Sequence, residues 1–481
     1  MGFLTLLVFF WRPAGYVVHA LRNSSGAAAE TPAGHTNDAS RLNATPVTQI
    51  WEIPAETALA EKQLSELLAR AKREHLPVSI AGARHSMGGQ TIAPHGIVVD
   101  MRRFQRMDFD SERGLLRVQA GARWEAIIPY LDRFGRSVGV MQSDNSFSVG
   151  GSVSVNCHGW QFDAPPIAST VESLRLMKAD GTIVRCSRSE NAEFFSLVLG
   201  GYGLFGIILD LELRVVPNER YRLEQSRVPA VEALDHYTRC IQTRDGVRMV
   251  YARLNIIPES LFDEVLLNFF VKEEGEIPKL QADEMPLLQR LVFRGSAGSD
   301  YGKKMRWTAE TRIQPFLGSG VASRNTLLNQ SSRVLQNRTA SSTDILQEYF
   351  VPEERAAEFV REMRRLVMAS GCDLLNVTVR SVNRDEDTFL RYADQRMLAF
   401  VLLFNQPIAP VAESRTAALT RSLVDAALLC GGRYYLPYRL HASAQQFHRA
   451  YPQAARFFEL KRLHDPEETF QNLFYRTYAT H

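Results

Sequence analysis

The chain has 481 residues, 45% of them hydrophobic and 23% charged, so it is long enough to bury a sizeable core in two or three lobes. Its 30 glycines and 21 prolines are ordinary numbers, which exclude a collagen-like or wholly disordered chain. The 56 basic and 53 acidic residues give a formal charge of +3, so no general attraction to nucleic acid is expected. Five scattered cysteines without a CxxC pair predict neither a zinc site nor a disulfide framework.

The N-terminus begins with an apolar run, Phe3–Trp11, which is shorter than the roughly 20 residues that a membrane-spanning helix needs. Two interpretations stay open: the apolar part of a secretion signal, or a short peripheral hydrophobic segment. Residues 22–46 are rich in Ala, Ser, Asn and Thr, which predicts a flexible leader over 1–46. The location is therefore open between the cytoplasm and an exported or peripheral-membrane site.

In chain order, hydrophobic periodicity predicts a first half that mixes helices with many short strands. The pattern lacks regular strand–helix–strand repeats and is typical of an α+β fold. Asp180-Gly181 between two apolar runs is a strong signal for a hairpin. The predicted elements are helices at 61–74 and 124–134, and strands at 77–81, 96–100, 115–119, 174–178, 182–185 and 207–216.

After residue 220 the segments become longer and more charged, which indicates a second α+β lobe. The predicted elements there are strands at 247–254, 261–270, 346–351, 376–382 and 398–405, and helices at 353–370 and 411–430.

The stretch Gly201–Gly206 matches the G-x-G-x-x-G pattern of dinucleotide-binding proteins. That fingerprint must follow a strand and open a helix, so that the helix N-terminus meets the pyrophosphate. Here the glycines lead into the β-branched run 207–216, which predicts a strand. The order is wrong for a nicotinamide-binding Rossmann site, although clustered glycines still allow the backbone to approach a flat ligand closely.

Three other glycine-containing loops favour a bound diphosphate, since successive backbone N–H groups in such turns can form an anion-binding nest. Each loop is a weak signal alone, but their combination and order are specific. The loops are Ala81–Gln90, Ser148–Ser152 and Asn156–Gly159.

With these loops, the sequence resembles the FAD-linked oxidases with a vanillyl-alcohol-oxidase-like (PCMH-type) flavin-binding domain. It is most similar to the branch of alditol oxidases, aldonolactone oxidases and decaprenylphosphoryl-ribose oxidases. Four further stretches carry this closer resemblance: Leu346–Pro352, Val377–Val382, Gly432–Tyr435, and Asp465-Pro466 with Phe470–Asn472.

The resemblance implies a two-lobed α+β protein with FAD as cofactor. Its expected parts are a flavin domain at 47–220, a substrate cap at 221–440, and a C-terminal return to the flavin domain at 441–481. The expected cofactor-binding residues are Ala81, Gly82, Ala83, Arg84, His85, Ser86, Gln90, Val149, Gly150, Gly151, Ser154, His158, Gly159, Gly206 and Ile207.

His85 follows the loop that the resemblance assigns to the diphosphate. In the alditol oxidase branch the matching histidine is joined covalently to the 8α carbon of the flavin ring, so a covalent FAD is expected here. Cys157 is interpreted as structural or merely adjacent to the flavin, because relatives with a second, cysteine link place that residue upstream of the Gly-Gly pair.

Five residues are the catalytic candidates: Arg380, Glu348, Tyr438, Thr378 and His441. Thr378 and Arg380 share one face of a predicted strand. In alditol oxidases the matching pair is Glu and Arg, so Thr378 departs from the polyol-oxidising pattern. In the ribose-oxidase branch, Gln stands at the position of Glu348 and Lys at that of Tyr438.

These residues favour hydride transfer from a CH–OH carbon of a sugar- or polyol-like alcohol to flavin N5. Arg380 would stabilise negative charge, and Glu348, Tyr438 or His441 would handle the proton. Oxygen or another acceptor would take the electrons; no metal is expected, and membrane association is left open. Three alternatives remain: a lipid-linked sugar oxidase with noncovalent FAD in an epimerase pair, an NADPH-dependent double-bond reductase, and a flavin carrier without turnover.

Overall fold

The computed structural model describes residues 2–162, 164–281, 286–313 and 320–479. The α-helices are α1 Gly2–Ser24, α2 Thr57–Arg73, α3 Trp124–Asp132, α4 Val149–Ser154, α5 Ala192–Val198, α6 Ala233–Thr243, α7 Pro286–Arg294, α8 Asp300–Thr308, α9 Arg324–Leu328, α10 Ala356–Ser370, α11 Pro410–Leu429, α12 Ala444–Ala450, α13 Ala454–His464 and α14 Leu473–Tyr478. The strands are β1 His35–Thr36, β2 Thr45–Pro46, β3 Gln49–Glu52, β4 Val78–Ala81, β5 Ile97–Asp100, β6 Met107–Asp110, β7 Leu115–Gln119, β8 Arg136–Val138, β9 Val171–Met177, β10 Ile183–Ser187, β11 Ile207–Pro217, β12 Arg220–Pro229, β13 Val247–Leu254, β14 Glu264–Lys272, β15 Val321–Ser323, β16 Ser342–Pro352, β17 Asp373–Val382, β18 Met397–Pro407 and β19 Arg433–Tyr434.

The first lobe contains a small parallel sheet with the order β3-β5-β4. Its central strand β5 is buried along its whole length, as expected for a parallel strand covered on both faces. Helix α2 connects β3 to β4 and buries the apolar stripe predicted from its spacing, including Leu64, Leu67 and Leu68. The Glu56 carboxylate caps this helix by accepting from the backbone N–H groups of Ala58 and Leu59.

The second sheet of this lobe is antiparallel, with the order β10-β9-β11-β7-β6 and with β8 also paired to β11. The predicted hairpin is confirmed: β9 and β10 pair in antiparallel register around Gly181, whose φ is +81°. Gly201–Gly206 leads into the strand β11 as predicted, so the chain lacks the strand-to-helix order of a Rossmann turn at this motif.

The second lobe is built on an eight-stranded sheet with the order β15-β12-β14-β13-β17-β18-β16-β19. One face of the sheet is covered by helices, where Tyr349, Phe359 and Phe400 pack with ring centroids 5.8 and 5.1 Å apart. The opposite face points towards the first lobe, because side chains alternate between the two faces of each strand. This second face becomes the wall of the cavity described below.

The C-terminal segment returns to the first lobe. Phe470 forms a parallel bridge with Val78. The Asn472 amide donates to the carbonyl oxygens of Gln90 and Tyr202 at 3.0 and 2.9 Å. These bonds fix the loop after β4 and the Gly201–Gly206 turn with respect to each other.

The second half of the expected leader is not flexible in the structure. Residues 35–46 form the β1–β2 pair, and Ser40 is fully buried. The Asp38 carboxylate accepts from the Gly89 backbone N–H at 2.8 Å, and Arg41 donates to the Thr339 carbonyl at 2.8 Å. The polar composition of this segment predicted flexibility, but its side chains form hydrogen bonds with both lobes instead of with water.

Helix α1 packs against the second lobe through Tyr16, whose ring meets that of Tyr301 edge-on at 5.8 Å. His19 Nε2 lies 2.7 Å from the Ala297 carbonyl oxygen. In the ranges that the structure describes, each helix is too short or too polar to cross a bilayer.

Candidate active site

A cavity of about 1,580 Å³ lies between the two lobes. It is larger than the roughly 300–1,000 Å³ of ordinary small-molecule pockets, so it has room for a cofactor and a substrate together. The first lobe contributes glycine-rich loops, and the second contributes the free face of its sheet. Among the described residues, nine arginines but only four acidic residues line the cavity, which gives it a positive potential suited to anionic groups.

The loop after β4 runs close to the backbone and side chains of α4. A Cβ placed on Gly82 would lie 1.9 Å from Ser148 Oγ, so this approach requires glycine. Arg84 takes the left-handed conformation with φ +59°, and its guanidinium donates to Asp100 at 3.2 Å. The chain thus turns sharply here and brings the following residue, His85, to the cavity wall.

Most residues predicted to bind the cofactor line this cavity. They are Gly82, Ala83, Arg84, His85, Ser86, Gln90, Gly150, Gly151, Ser154, His158 and Gly206.

Four residues of the cofactor prediction do not line the cavity: Ala81, Val149, Gly159 and Ile207. Ala81, Val149 and Ile207 are fully buried in the core of the first lobe. On β11 it is the next residue, Ile208, that faces the cavity, since neighbouring strand residues point to opposite sides. Gly159 instead allows close packing, because a Cβ there would lie 2.0 Å from the Met141 carbonyl oxygen.

His85 is the end of a hydrogen-bonded chain. Its Nε2 lies 3.0 Å from Ser146 Oγ, which is 2.7 Å from an oxygen of Asp144. Because the Ser146 hydroxyl has one proton to give and Asp144 accepts it, His85 donates its Nε2 proton and keeps a lone pair on Nδ1. Phe147 stacks on the imidazole at 3.9 Å and fixes its plane.

Burial lowers the pKa of His85 below its ordinary value, although the Asp144 charge acts in the opposite direction. The ring is therefore neutral near pH 7, which is the state in which an imidazole nitrogen can act as a nucleophile.

A second cluster lies on the wall of the cavity that the second lobe forms, around Glu348 on β16. His158 Nε2 donates to one carboxylate oxygen at 2.7 Å, and the Tyr438 hydroxyl donates to the other at 3.3 Å. Glu348 is 2% exposed but lines the cavity, so its contact with a ligand would be shielded from bulk water. The geometry suits a proton acceptor whose orientation is fixed by two donors.

Tyr438 itself does not fit the role of a base that the sequence left open for it. Burial, and then the neighbouring Glu348 carboxylate, raise the pKa of the Tyr438 hydroxyl well above its ordinary value. The phenol stays protonated and can only donate or orient.

Arg380 and Thr378 both line the cavity from β17, as their alternation predicts. Arg380 Nη2 donates to Ser143 Oγ of the first lobe at 2.9 Å. This bond joins β17 of the second lobe to the 143–146 loop of the first lobe and fixes one end of the guanidinium. Ser143 belongs to the same 143–146 loop that orients His85, so both cavity walls are connected.

His441 is not brought to the cavity, which corrects the prediction that it handles a proton there. Its Nε2 donates to Glu413 of α11 at 2.8 Å, and its Nδ1 lies 3.1 Å from Thr420 Oγ1. Arg439 binds the same carboxylate, and these contacts hold the pKa of Glu413 down at about 2 despite its burial. The cluster attaches the return segment to α11.

Cys157 lies in the cavity wall but is an inert thiol, since burial raises its pKa to about 12.

Sequence reasoning missed several polar residues that also reach the cavity. Ser143 and Asp144 lie in a loop without glycine, which gave no signal of a site. Arg253, Arg306 and Asn376 become neighbours only when the eight-stranded sheet of the second lobe forms. Alternation along the strand at 247–254 is the one signal that could have placed Arg253 and Tyr251 on the same face.

The cavity wall contains buried polar atoms that find no protein partner in the described part of the chain. They include Arg84 Nε, Ser86 Oγ, Thr91 Oγ1, His158 Nδ1 and Arg380 Nε. Such atoms are costly unless a ligand or water satisfies them. Donors in the 82–91 loop and a glycine cradle fit a diphosphate and a flat ring system, so the residues present fit FAD.

Comparison with protein families agrees with this geometry. Residues 57–187 match an FAD-binding domain, so the first lobe is that of a flavoprotein. A D-arabinono-1,4-lactone oxidase model matches residues 211–478, more than half of the chain, and the chain belongs to that family. The α+β fold, the FAD cofactor and the resemblance to the branch of alditol, aldonolactone and decaprenylphosphoryl-ribose oxidases are thereby confirmed, and the match falls within the aldonolactone oxidases of that branch.

Individual relatives are distant. The chain is 23% identical over 427 residues to an L-gulono-1,4-lactone dehydrogenase of Mycobacterium tuberculosis, covering 87% of this chain and 94% of that protein. It is 28% identical over 192 residues to mouse L-gulonolactone oxidase, covering 39% of this chain and 43% of the mouse protein. Cytokinin dehydrogenase 1 of Arabidopsis thaliana matches at 31% over 147 residues, 30% of this chain and 26% of that protein. The chain thus spans less than half of the mouse and plant relatives.

Proposed function

We propose that this protein is an FAD-dependent oxidoreductase that oxidises a CH–OH group of an aldonolactone or a closely related sugar-derived alcohol. The observation that carries the proposal is the convergence of Glu348, Tyr438 and Arg380 on the cavity wall that faces the His85 loop. The relatives named as lactone oxidases and dehydrogenases support the substrate class.

In this proposal the chain's own residues do the following work. Bound FAD, held by the 82–90 loop and the Gly150-Gly151 turn, supplies the hydride acceptor. Glu348 accepts the proton of the substrate hydroxyl, and the Tyr438 hydroxyl and His158 hold its carboxylate in place. Arg380 stabilises negative charge that develops on the substrate oxygen. Oxygen or another acceptor then takes the electrons.

The test of the function is anaerobic mixing of the purified yellow protein with L-gulono-1,4-lactone and with D-arabinono-1,4-lactone. We expect the visible flavin absorbance to bleach with at least one lactone and to return when an electron acceptor is added. Bleaching by NADPH and by none of the sugar-derived alcohols would overturn the proposal in favour of a reductase. Bleaching by no reductant of either kind would favour a flavin carrier.

We further propose that FAD is attached covalently through His85. The neutral imidazole, with Nε2 bonded to Ser146 and its Nδ1 lone pair unused in the described contacts, supports this role. We expect acid precipitation of the wild-type protein to leave the yellow colour in the pellet, and His85→Ala to release it into the supernatant. Ser146→Ala is expected to slow attachment without preventing FAD binding, measured as the bound-to-released ratio over time.

Thermal unfolding with and without added FAD is the control, because His85→Ala should still bind the cofactor. Release of the flavin from the wild-type protein on acid treatment would contradict covalent attachment and favour the noncovalent lipid-linked-sugar branch.

A further inference from the structure

In addition to Arg380, the eight-stranded sheet of the second lobe has a second group of charged residues that face the cavity. Arg253 on β13 stands directly opposite Thr378 on β17, and both face the cavity. Thr378 is two residues from Arg380, a separation of about 7 Å along a strand. That distance is comparable to the span of one sugar ring, so Arg253 lies where the far end of a lactone bound at Arg380 would reach.

Two guanidinium groups meet at this point. Arg253 Nη1 and Arg306 Nη2 both donate to Asn376 Oδ1, the latter at 3.0 Å. Arg306, which α8 contributes, is 5% exposed and also donates to the Leu375 carbonyl at 2.7 Å. Two positive charges thus share one neutral oxygen, an arrangement that repels unless a negative group offsets it.

Among the residues that the structure describes, one carboxylate pairs with these guanidinium groups, and one negative charge cannot neutralise two cations. Glu310 accepts from Arg306 Nε at 2.8 Å. Burial opposes its ionisation, but Arg306 and Arg253 hold the pKa of Glu310 below its ordinary value, so it is charged. In the described residues, Arg253 has no carboxylate within ion-pair distance, and its remaining partner is the Thr378 hydroxyl at 3.4 Å. Arg253, Arg306 and Glu310 together therefore carry a net positive charge.

Uncharged polar side chains also line this wall, and the charge of Arg294, which is paired with Asp344, acts on Arg306. Gln225 and Asn268 line the same wall and bond to each other at 2.7 Å, and Tyr251 shares the face of β13 with Arg253. Guanidinium groups bind carboxylates and phosphates through paired N–H donors, and these bonds are stronger when both partners are charged.

We propose that Arg253 and Arg306 form a subsite for an anionic group of the substrate, a phosphate or a carboxylate at the end remote from the oxidised carbon. The statement that the anion belongs to a sugar-derived substrate rests on the proposed function. The statement that this site binds an anion does not. It narrows the substrate class from neutral lactones to acidic or phosphorylated ones.

The kinetic experiment uses the FAD-loaded protein and three probes: D-arabinono-1,4-lactone, its 5-phosphate ester, and D-glucaro-1,4-lactone, whose remote group is a carboxylate. We expect the better anionic probe to have a KM about tenfold to a hundredfold below that of the neutral lactone, because this is the usual contribution of a hydrogen bond between charged groups to binding. Which anionic probe is favoured distinguishes phosphate from carboxylate.

Arg253→Gln should abolish this preference, so that the KM of the anionic probe rises to the KM of the neutral lactone measured on the same variant, and Arg253→Lys should restore part of the preference. Arg361→Gln, which removes an exposed arginine of α10, is the matched control and should change neither value. Equal KM values for neutral and anionic lactones in the wild-type protein would overturn the proposal. An equal effect of Arg253→Gln on both kinds of probe would do the same, since it would show a purely structural role.

If no probe bleaches the flavin, the proposed function fails and the subsite is decided by binding alone. Inorganic phosphate should then raise the thermal midpoint of the wild-type FAD-loaded protein, and of Arg361→Gln, but not that of Arg253→Gln. A rise of equal size in all three proteins would overturn the subsite, because it would reflect general ion binding.

Discussion

Glu348→Gln is expected to lower the rate of flavin reduction at saturating substrate by about 10²–10⁴-fold, the usual contribution of a general base. Glutamine keeps the shape of the side chain and its contact with Tyr438, but it cannot accept a proton. The measurement is anaerobic rapid mixing with the visible flavin absorbance as the signal, at saturating lactone.

The matched control is Tyr438→Phe, which removes one donor to Glu348 and leaves the carboxylate in place. It should cause a smaller loss of rate than Glu348→Gln, because Tyr438 only orients the acceptor. A Glu348→Gln protein that reduces its flavin at the wild-type rate would exclude Glu348 as the base.

Arg380→Met is expected to cost about 10²–10³-fold in kcat, the typical loss when a group that stabilises a developing oxyanion is removed. The guanidinium is held by Ser143 Oγ at 2.9 Å, and its buried Nε has no partner among the described residues, so this N–H is free to bind a ligand. Steady-state kinetics with the lactone that bleaches the flavin best should show the loss mainly in kcat, with a smaller change in KM.

Arg380→Lys should recover part of the rate, since it restores the charge without the fork of donors. Ser143→Ala tests positioning: it should reduce the rate less than Arg380→Met, because the charge remains but its anchor is lost. A loss confined to KM in Arg380→Met would contradict a role in the transition state and assign Arg380 to ground-state binding.

Much of the first lobe could be predicted because its signals are local. The Ala81–Gln90 loop, the Asp180-Gly181 hairpin and the run into β11 depend on backbone conformations that glycine permits and on alternation within one strand. The same alternation placed Thr378 and Arg380 on one face of β17, and both do line the cavity.

The errors occurred where a residue's environment is made by distant segments. His441 has the chemistry of a proton acceptor, but Glu413 and Thr420 of α11 bind both ring nitrogens away from the cavity. Residues 35–46 have the composition of a flexible leader, yet contacts with Gly89 and Thr339 order them. Neither set of partners is near in sequence.

The sequence by itself determined that glycine-rich loops and short strands in the first half are followed by a strand-rich second half, because turns and periodicity are local properties of the backbone. The assignment of a flavin to the first half came from the family resemblance that those loops carry. Only the tertiary structure decided which side chains act together. The bond from Arg380 to Ser143 joins residues that are 237 apart in sequence, and the contact of His85 with Ser146 joins residues that are 61 apart. Arg253 and Arg306 meet at Asn376, from which they are 123 and 70 residues away. These contacts depend on how the eight-stranded sheet of the second lobe packs against the first lobe, and no local sequence pattern specifies that packing.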